Sequence, residues 1–213
     1  CLDSWEDYEN SLRKPSFIKW DYLVLTASNE EQARTYRKQL EYRLEAGLLP
    51  KETHYAVLPD PDGKRVGSGG ATFHVVRYIA QQEGARDGNP FKGRRILVIH
   101  SGGDSKRVPQ YSACGKLFSP VPRQLPNGFA STLFDEFAIG MSGVPSRIPE
   151  GMLVLSGDVL LLFNPLQIDF NYHGAAAISM KENVETGKEH GVFLNDGQDY
   201  VGQFLHKQSE ERL

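Results

Sequence analysis

Apolar positions in this chain alternate between short continuous runs and longer stretches at helical spacing. From Asp21 to Leu25 the run Tyr-Leu-Val-Leu has the length and density of a strand covered on both faces. Thr26 to Asn29 turn the chain, and Ser28 followed three residues later by Glu31 has the spacing of a capping box. Ala33, Tyr36, Leu40 and Leu44 then recur at the interval of an amphipathic helix, with Gly47 as its stop and Pro50 just beyond. His54 to Leu58 predicts a second strand and Asp60-Pro61-Asp62-Gly63 a turn. Gly67-Ser68-Gly69-Gly70-Ala71-Thr72 leads into a second helix carrying Val75, Val76, Ile79 and Ala80. Arg95 to His100 is nearly all apolar and predicts a third strand. Beyond it, Ser131 is expected to cap a helix through Ala138, Gly151 to Ser156 to form another buried strand, and Ala175 to Met180 and Val192 to Leu194 shorter ones. Strands alternating with helices imply an α/β fold with a doubly wound, mostly parallel sheet, whose ligand sites lie beyond the carboxyl ends of its strands.

Length and charge sharpen this picture only in part. At 213 residues the chain fills one α/β core, and residues 1–213 read as one domain. A net charge of −3 gives no general attraction for nucleic acid or an anionic membrane, so a phosphate ligand must be held by a local site. Two cysteines, Cys1 and Cys114, are too few for a disulfide framework and suit a reducing, cytoplasmic setting. No apolar run reaches the ~18 residues of a membrane span, and the first residues lack the basic and apolar regions of a signal peptide.

The residues from His100 to Pro122 are the strongest candidate for chemistry. The third strand runs into Ser101-Gly102-Gly103-Asp104-Ser105-Lys106-Arg107-Val108-Pro109, followed by Gly115-Lys116. Successive glycines let backbone N–H groups approach phosphate oxygens closely, while Arg107 and Lys116 supply charge-assisted bonds. It is not a Walker loop, because Leu117 rather than Ser or Thr follows Lys116. Gly67, Gly69 and Gly70 offer a second stretch of bare backbone for a nucleotide. Thr72 stands where the dinucleotide fingerprint requires its third glycine, which removes support for a nicotinamide or flavin cofactor. Asp158, in Leu-Ser-Gly-Asp-Val after the strand Gly151 to Ser156, is placed to hold Mg²⁺ against phosphate oxygens. Near the end, His190 to Asp196 and Tyr200 to Lys207 read as a hairpin that brings Lys207 toward an anion. No His-Glu-x-x-His or Cys-x-x-Cys spacing supports zinc chemistry.

The run Ser101 to Pro109, then Gly115-Lys116, with the upstream Gly-Ser-Gly-Gly-Ala-Thr, resembles the fucose pyrophosphorylase region. That region is shared by fucose 1-phosphate guanylyltransferases and bifunctional L-fucokinase/GDP-fucose pyrophosphorylases. The resemblance runs from about Asp21 to Lys207. It implies a GT-A-like nucleotidyltransferase fold, transfer of GMP from GTP to L-fucose 1-phosphate with release of pyrophosphate, and a need for Mg²⁺. Carried over residue by residue, it assigns Gly102, Gly103, Arg107 and Lys116 to the phosphate loop, Asp158 to the metal and Lys207 to the sugar phosphate. In the wider superfamily the glycine loop follows the first strand, whereas here Ser-Gly-Gly follows the third, so which loop touches base and which phosphate stays open. The resemblance also implies that the nucleotidyltransferase part continues past Lys207 and that a carboxy-terminal kinase domain is linked in bifunctional relatives. The competing readings are a non-catalytic nucleotide-binding scaffold for an L-fucokinase, or an enzyme of this fold acting on another sugar 1-phosphate.

Overall fold

The computed structural model describes residues 2–84, 88–101, 115–160, 164, 167–170, 172–198 and 200–209. The chain divides into two compact units, Cys1–Asn171 and Tyr172–Leu213.

The first unit opens with α1 (Leu2–Arg13), followed by β1 (Tyr22–Ala27), α2 (Glu30–Glu45), β2 (His54–Pro59), α3 (Gly67–Gln82) and β3 (Arg95–His100). It continues with β4 (Pro120–Gln124), β5 (Ala130–Thr132), α4 (Leu133–Gly140) and β6 (Gly151–Ser156). β2, β1, β3 and β6 form a parallel sheet in that order; β4 and β5 form a small antiparallel pair. The expected α/β class and parallel sheet are therefore present.

Strand periodicity divides the core between the two sheet faces. Leu23, Leu25, Leu97 and Ile99 pack with Tyr36 and Leu40 of α2 and Phe134 and Phe137 of α4. Tyr22, Val24, Ile96 and Val98 pack with Val75 and Ile79 of α3. Two helical layers cover β1 and β3 on both faces, which accounts for their unbroken apolar runs, whereas β6, expected to be buried, is an edge strand in which only Leu155 is buried. At the other end of the strands, below α1, a cavity of about 30 Å³ is lined by Tyr8, Trp20, Thr53 and Leu97, room for about a water molecule and far too little for a nucleotide.

Local chemistry shifts several boundaries. Asn29, rather than Ser28, caps α2: its side chain accepts from Gln32 N–H, while Gln32 Oε1 accepts from the backbone and hydroxyl of Ser28. The reciprocal pair expected between Ser28 and Glu31 is thus replaced by an Asn29 cap, with the Gln32 side chain reaching back one residue further to Ser28. α2 ends as expected, with Gly47 at φ +68° and the Gly47 and Leu48 N–H groups returning to Leu44 and Arg43. Thr132, not Ser131, caps α4 in a box with Asp135, and the buried Ser131 donates to Glu136 instead. α1 was not expected; Trp5, Tyr8 and Leu12 carry its packing stripe, and the Tyr8 hydroxyl donates to Leu48 O at 2.8 Å.

The second unit holds α5 (Val184–Gly187) and the antiparallel hairpin of β7 (Gly191–Asn195) and β8 (Val201–His206). The hairpin matches expectation. Residues 175–180 do not form the expected strand, and Ile178 and Met180 are exposed. Without a covering layer, an apolar run gains little from pairing.

Candidate functional site at the carboxyl ends of the parallel strands

The connection after β1 leads to β2 on one side, and the next crossover returns past β1 to β3 on the other. The sheet therefore reverses its winding between β1 and β3, and open α/β sheets bind their ligands beyond the carboxyl ends of the strands at such a point.

Hydroxyl groups and one imidazole line this point. Thr26 Oγ1 lies 3.2 Å from His100 Nδ1, and Thr72 Oγ1 lies 2.9 Å from His100 Nε2. Thr72 also donates to Ser68 O, and Ser101 N–H donates to Thr26 Oγ1. With the Thr72 proton given to Ser68, the pattern is satisfied by a neutral imidazole that donates from Nε2 and accepts from Thr26 at Nδ1, a tautomer assigned from the network. Burial holds the His100 pKa below its ordinary value, opposed by the nearby Asp60 carboxylate. The imidazole thereby joins β1, β3 and the second turn of α3.

The glycines Gly67, Gly69 and Gly70 lie in the first turn of α3 itself, not in a loop preceding a helix. A Cβ on Gly70 would come within 2.7 Å of Val66 Cβ, so close backbone winding is a reason for glycine there. Asp60, at the end of β2, lies at the head of this helix. Partial burial raises its pKa, while the Val66 N–H, Arg65, His74 and His100 act to lower it. The positive end of α3 already faces a carboxylate of the protein.

On the other side of β3, β6 delivers Asp158. Gly157 N–H donates to His100 O at 2.7 Å, and a Cβ at Gly157 would lie 3.0 Å from that oxygen and 3.1 Å from Ser101 Cβ. A small residue is needed for β6 to leave the sheet so close to β3. Asp158 then accepts from Ser156 Oγ at 2.7 Å and meets Lys116 Nζ at 3.6 Å, with side chains 51% and 37% exposed. Lys116 is held at this rim by its neighbours: Leu117 and Phe118, in the same short 3₁₀ turn, are buried in the core against α2 and α4. The structure thus brings together Ser101, Lys116 and Asp158, which lie far apart in sequence.

Gly102, Gly103 and Arg107 lie outside the described residues. Lys207 follows β8 in the second unit, where its N–H donates to His190 O and its backbone has φ +49°. Thr26, Thr72 and Tyr36 are contributors that the sequence did not mark, because each acts through a hydroxyl whose partner is remote along the chain. Among the described residues no group of three or more His, Cys, Asp or Glu side chains converges to hold a metal, and no helix is long and apolar enough to cross a membrane. One half-exposed carboxylate fits the manner in which Mg²⁺ is commonly bound, by one or two carboxylates, waters and substrate phosphates.

Residues 88–213, from the approach to β3 through Lys116, Asp158 and Lys207, match the family model of the fucose pyrophosphorylase domain. The chain belongs to the fucose pyrophosphorylase family. It is 31% identical over 213 residues to the bifunctional fucokinase/GDP-fucose pyrophosphorylase of Arabidopsis thaliana, covering 90% of this chain and 20% of that protein. It is 32% identical over 207 residues to the fucose-1-phosphate guanylyltransferase of Homo sapiens, covering 91% of this chain and 33% of that protein. The L-fucokinase/L-fucose-1-P guanylyltransferase of Bacteroides fragilis is 29% identical over 154 residues, covering 68% of this chain and 16% of that protein. The chain therefore spans a third or less of the length of each of these relatives. No solved structure matches it.

Proposed function

We propose that this chain forms the nucleotide end of a fucose-1-phosphate guanylyltransferase, which transfers GMP from GTP to L-fucose 1-phosphate and releases pyrophosphate. Similarity to relatives so named supplies the reaction class. The observation that carries the reading is the approach of Lys116 to Asp158 beside Ser101 at the switch point. A transferring phosphoryl group needs positive charge on its oxygens and a carboxylate for the accompanying metal, and little covalent help, because the attacking sugar phosphate is already an anion near neutral pH.

In this reading Lys116 leaves Asp158 for the phosphates of GTP and stabilises the charge that grows on pyrophosphate. Arg107 adds a second cation, Ser101, Gly102 and Gly103 supply polar backbone, and Gly67, Gly69 and Gly70 bound the nucleotide on the α3 side. Lys207 orients the sugar phosphate. Mg²⁺ would be held by Asp158, and when bound it supplies charge neutralisation across the reacting phosphates. The setting is cytoplasmic, and in bifunctional form a linked kinase part supplies L-fucose 1-phosphate.

The test is thermal stabilisation of the chain by GTP, UTP, CTP and ATP with and without Mg²⁺, since a ligand of the folded state raises the melting temperature. It is followed by pyrophosphate release from GTP and L-fucose 1-phosphate in the full natural polypeptide carrying these residues. Selective stabilisation by GTP together with pyrophosphate release is expected. GTP stabilisation without product would leave a nucleotide-binding scaffold, and equal stabilisation by every nucleotide would contradict guanine selection.

A further inference from the structure

We infer that Tyr36, on the inner face of α2, is a positioning residue that sets Ser101 and the Gly115–Lys116 step against each other for phosphoryl transfer; this rests on the guanylyltransferase reading. Tyr36 is completely buried, and its ring packs on Phe118 with centroids 5.2 Å apart. Hydrophobic packing explains the ring but not the hydroxyl. That group sits at the site end of the core, 3.1 Å from Ser101 O and 2.8 Å from Ser101 Oγ. By donating to the carbonyl and accepting from the serine hydroxyl, it fixes the backbone and side chain of the first residue past β3.

The same oxygen meets the chain again at Gly115. A Cβ built on Gly115 would overlap the Tyr36 hydroxyl oxygen and lie 2.9 Å from Cζ, and the Gly115 backbone is at φ +67°. Glycine is demanded here twice, by the left-handed backbone and by the phenol seated against it. The next residue is Lys116, whose ammonium reaches Asp158. One buried phenol thus touches both Ser101 and the residue before Lys116. A residue serving only the core would do as well as phenylalanine; a hydroxyl aimed at Ser101 is useful where Ser101 and Lys116 must act on one ligand.

The experiment compares wild type, Tyr36→Phe, Ser101→Ala and the double variant in the full natural polypeptide. It measures kcat and KM for GTP and L-fucose 1-phosphate by pyrophosphate release, with melting temperatures alongside. Tyr36→Phe keeps the ring and its packing, so the melting temperature is expected to stay close to wild type. Loss of alignment should lower kcat by about 10- to 100-fold, with KM for L-fucose 1-phosphate changed less than about threefold. The double variant should lose clearly less than the product of the two single losses, because both single variants remove the Tyr36–Ser101 Oγ contact. Unchanged kcat in Tyr36→Phe, a kcat loss that merely tracks a fall in melting temperature, or losses that multiply in the double variant would each overturn the inference. A wild-type protein that releases no pyrophosphate would instead sink the guanylyltransferase reading, and this inference with it.

Discussion

Two cation–carboxylate pairs in the first unit have opposite designs. Arg43 and Asp135 face each other as two parallel forks, with Nε–Oδ1 at 2.7 Å and Nη2–Oδ2 at 2.9 Å, and each side chain is 5% exposed. The guanidinium also reaches Thr132 Oγ1 and Gln39 and lies 5.0 Å from the Phe118 ring centre. Asp135 accepts from the Thr132 backbone as the return half of the α4 cap. Lys116 and Asp158 approach no closer than 3.6 Å and are about half in solvent. The first pair commits its hydrogen-bonding capacity to joining α2 and α4. The second sits loosely at a strand end, where, in the proposed function, an arriving phosphate and its metal would take over both partners at small cost. Burial and geometry, not charge, separate a pair committed to the core from one open to exchange its partners.

The largest test breaks the buried pair. Asp135→Ala strands the Arg43 guanidinium in the core and removes the α4 cap, so a loss of about 3–5 kcal/mol is expected. For a unit of this size the melting temperature should fall by roughly 10 °C. Replacing both partners, Arg43→Met with Asp135→Leu, should recover most of that loss, leaving about 1 kcal/mol for the missing cap. A single variant that melts within about 2 °C of wild type would show that the contrast between the pairs is wrong.

The converse test is on the open pair. Lys116→Ala, which removes a charged donor, and Asp158→Asn, which removes the carboxylate charge proposed to hold the metal, should each lower turnover by about 10²–10³-fold in the full natural polypeptide. Stability should change by no more than about 0.5 kcal/mol, because neither side chain is buried. Normal turnover in Lys116→Ala would deprive it of the phosphate role; a large drop in melting temperature would make it a second structural pair.

This contrast also shows what could be read from the chain alone. β1 and β3 were legible because covering on both faces leaves continuous apolar runs, and Lys116 and Asp158 because each follows a glycine where a strand or loop ends. The caps at Asn29 and Thr132 were placed one residue early, since adjacent side chains, Ser28 and Ser131, offer the same oxygen to the same turn. The helical turn at Gly67 was hidden because a run of glycines has the composition of a loop and the N-cap residue, Val66, makes no side-chain cap hydrogen bond. Least legible were Tyr36 and Thr26, whose partners lie 65 and 74 residues away and whose hydroxyls leave no periodic mark. α1 was missed for a related reason: its apolar stripe of Trp5, Tyr8 and Leu12 is thin and set among acidic residues.

The smallest expected effect concerns the imidazole between these regions. His100 is held neutral by burial, so its folded-state pKa lies below the value near 6.5 that it takes in the unfolded chain. Its contribution is fully present above about pH 6.5 and is lost as pH falls toward the folded-state pKa, because the unfolded chain binds the proton more readily. The dependence from this one group cannot exceed about 1.4 kcal/mol per pH unit. Asp60 works the other way, since its raised carboxyl pKa favours the folded state when protonated at lower pH. Comparing wild type with His100→Asn, which removes the titrating ring and leaves Asp60, isolates the histidine term. At pH 7.5 the variant should be the less stable, having lost the bridge between Thr26 and Thr72; at pH 5.5 the gap should narrow. Parallel stability curves from pH 7.5 to 5.5 would mean that His100 does not titrate differently on folding, and that the space around Thr26 and Thr72 is wetter than the buried imidazole implies.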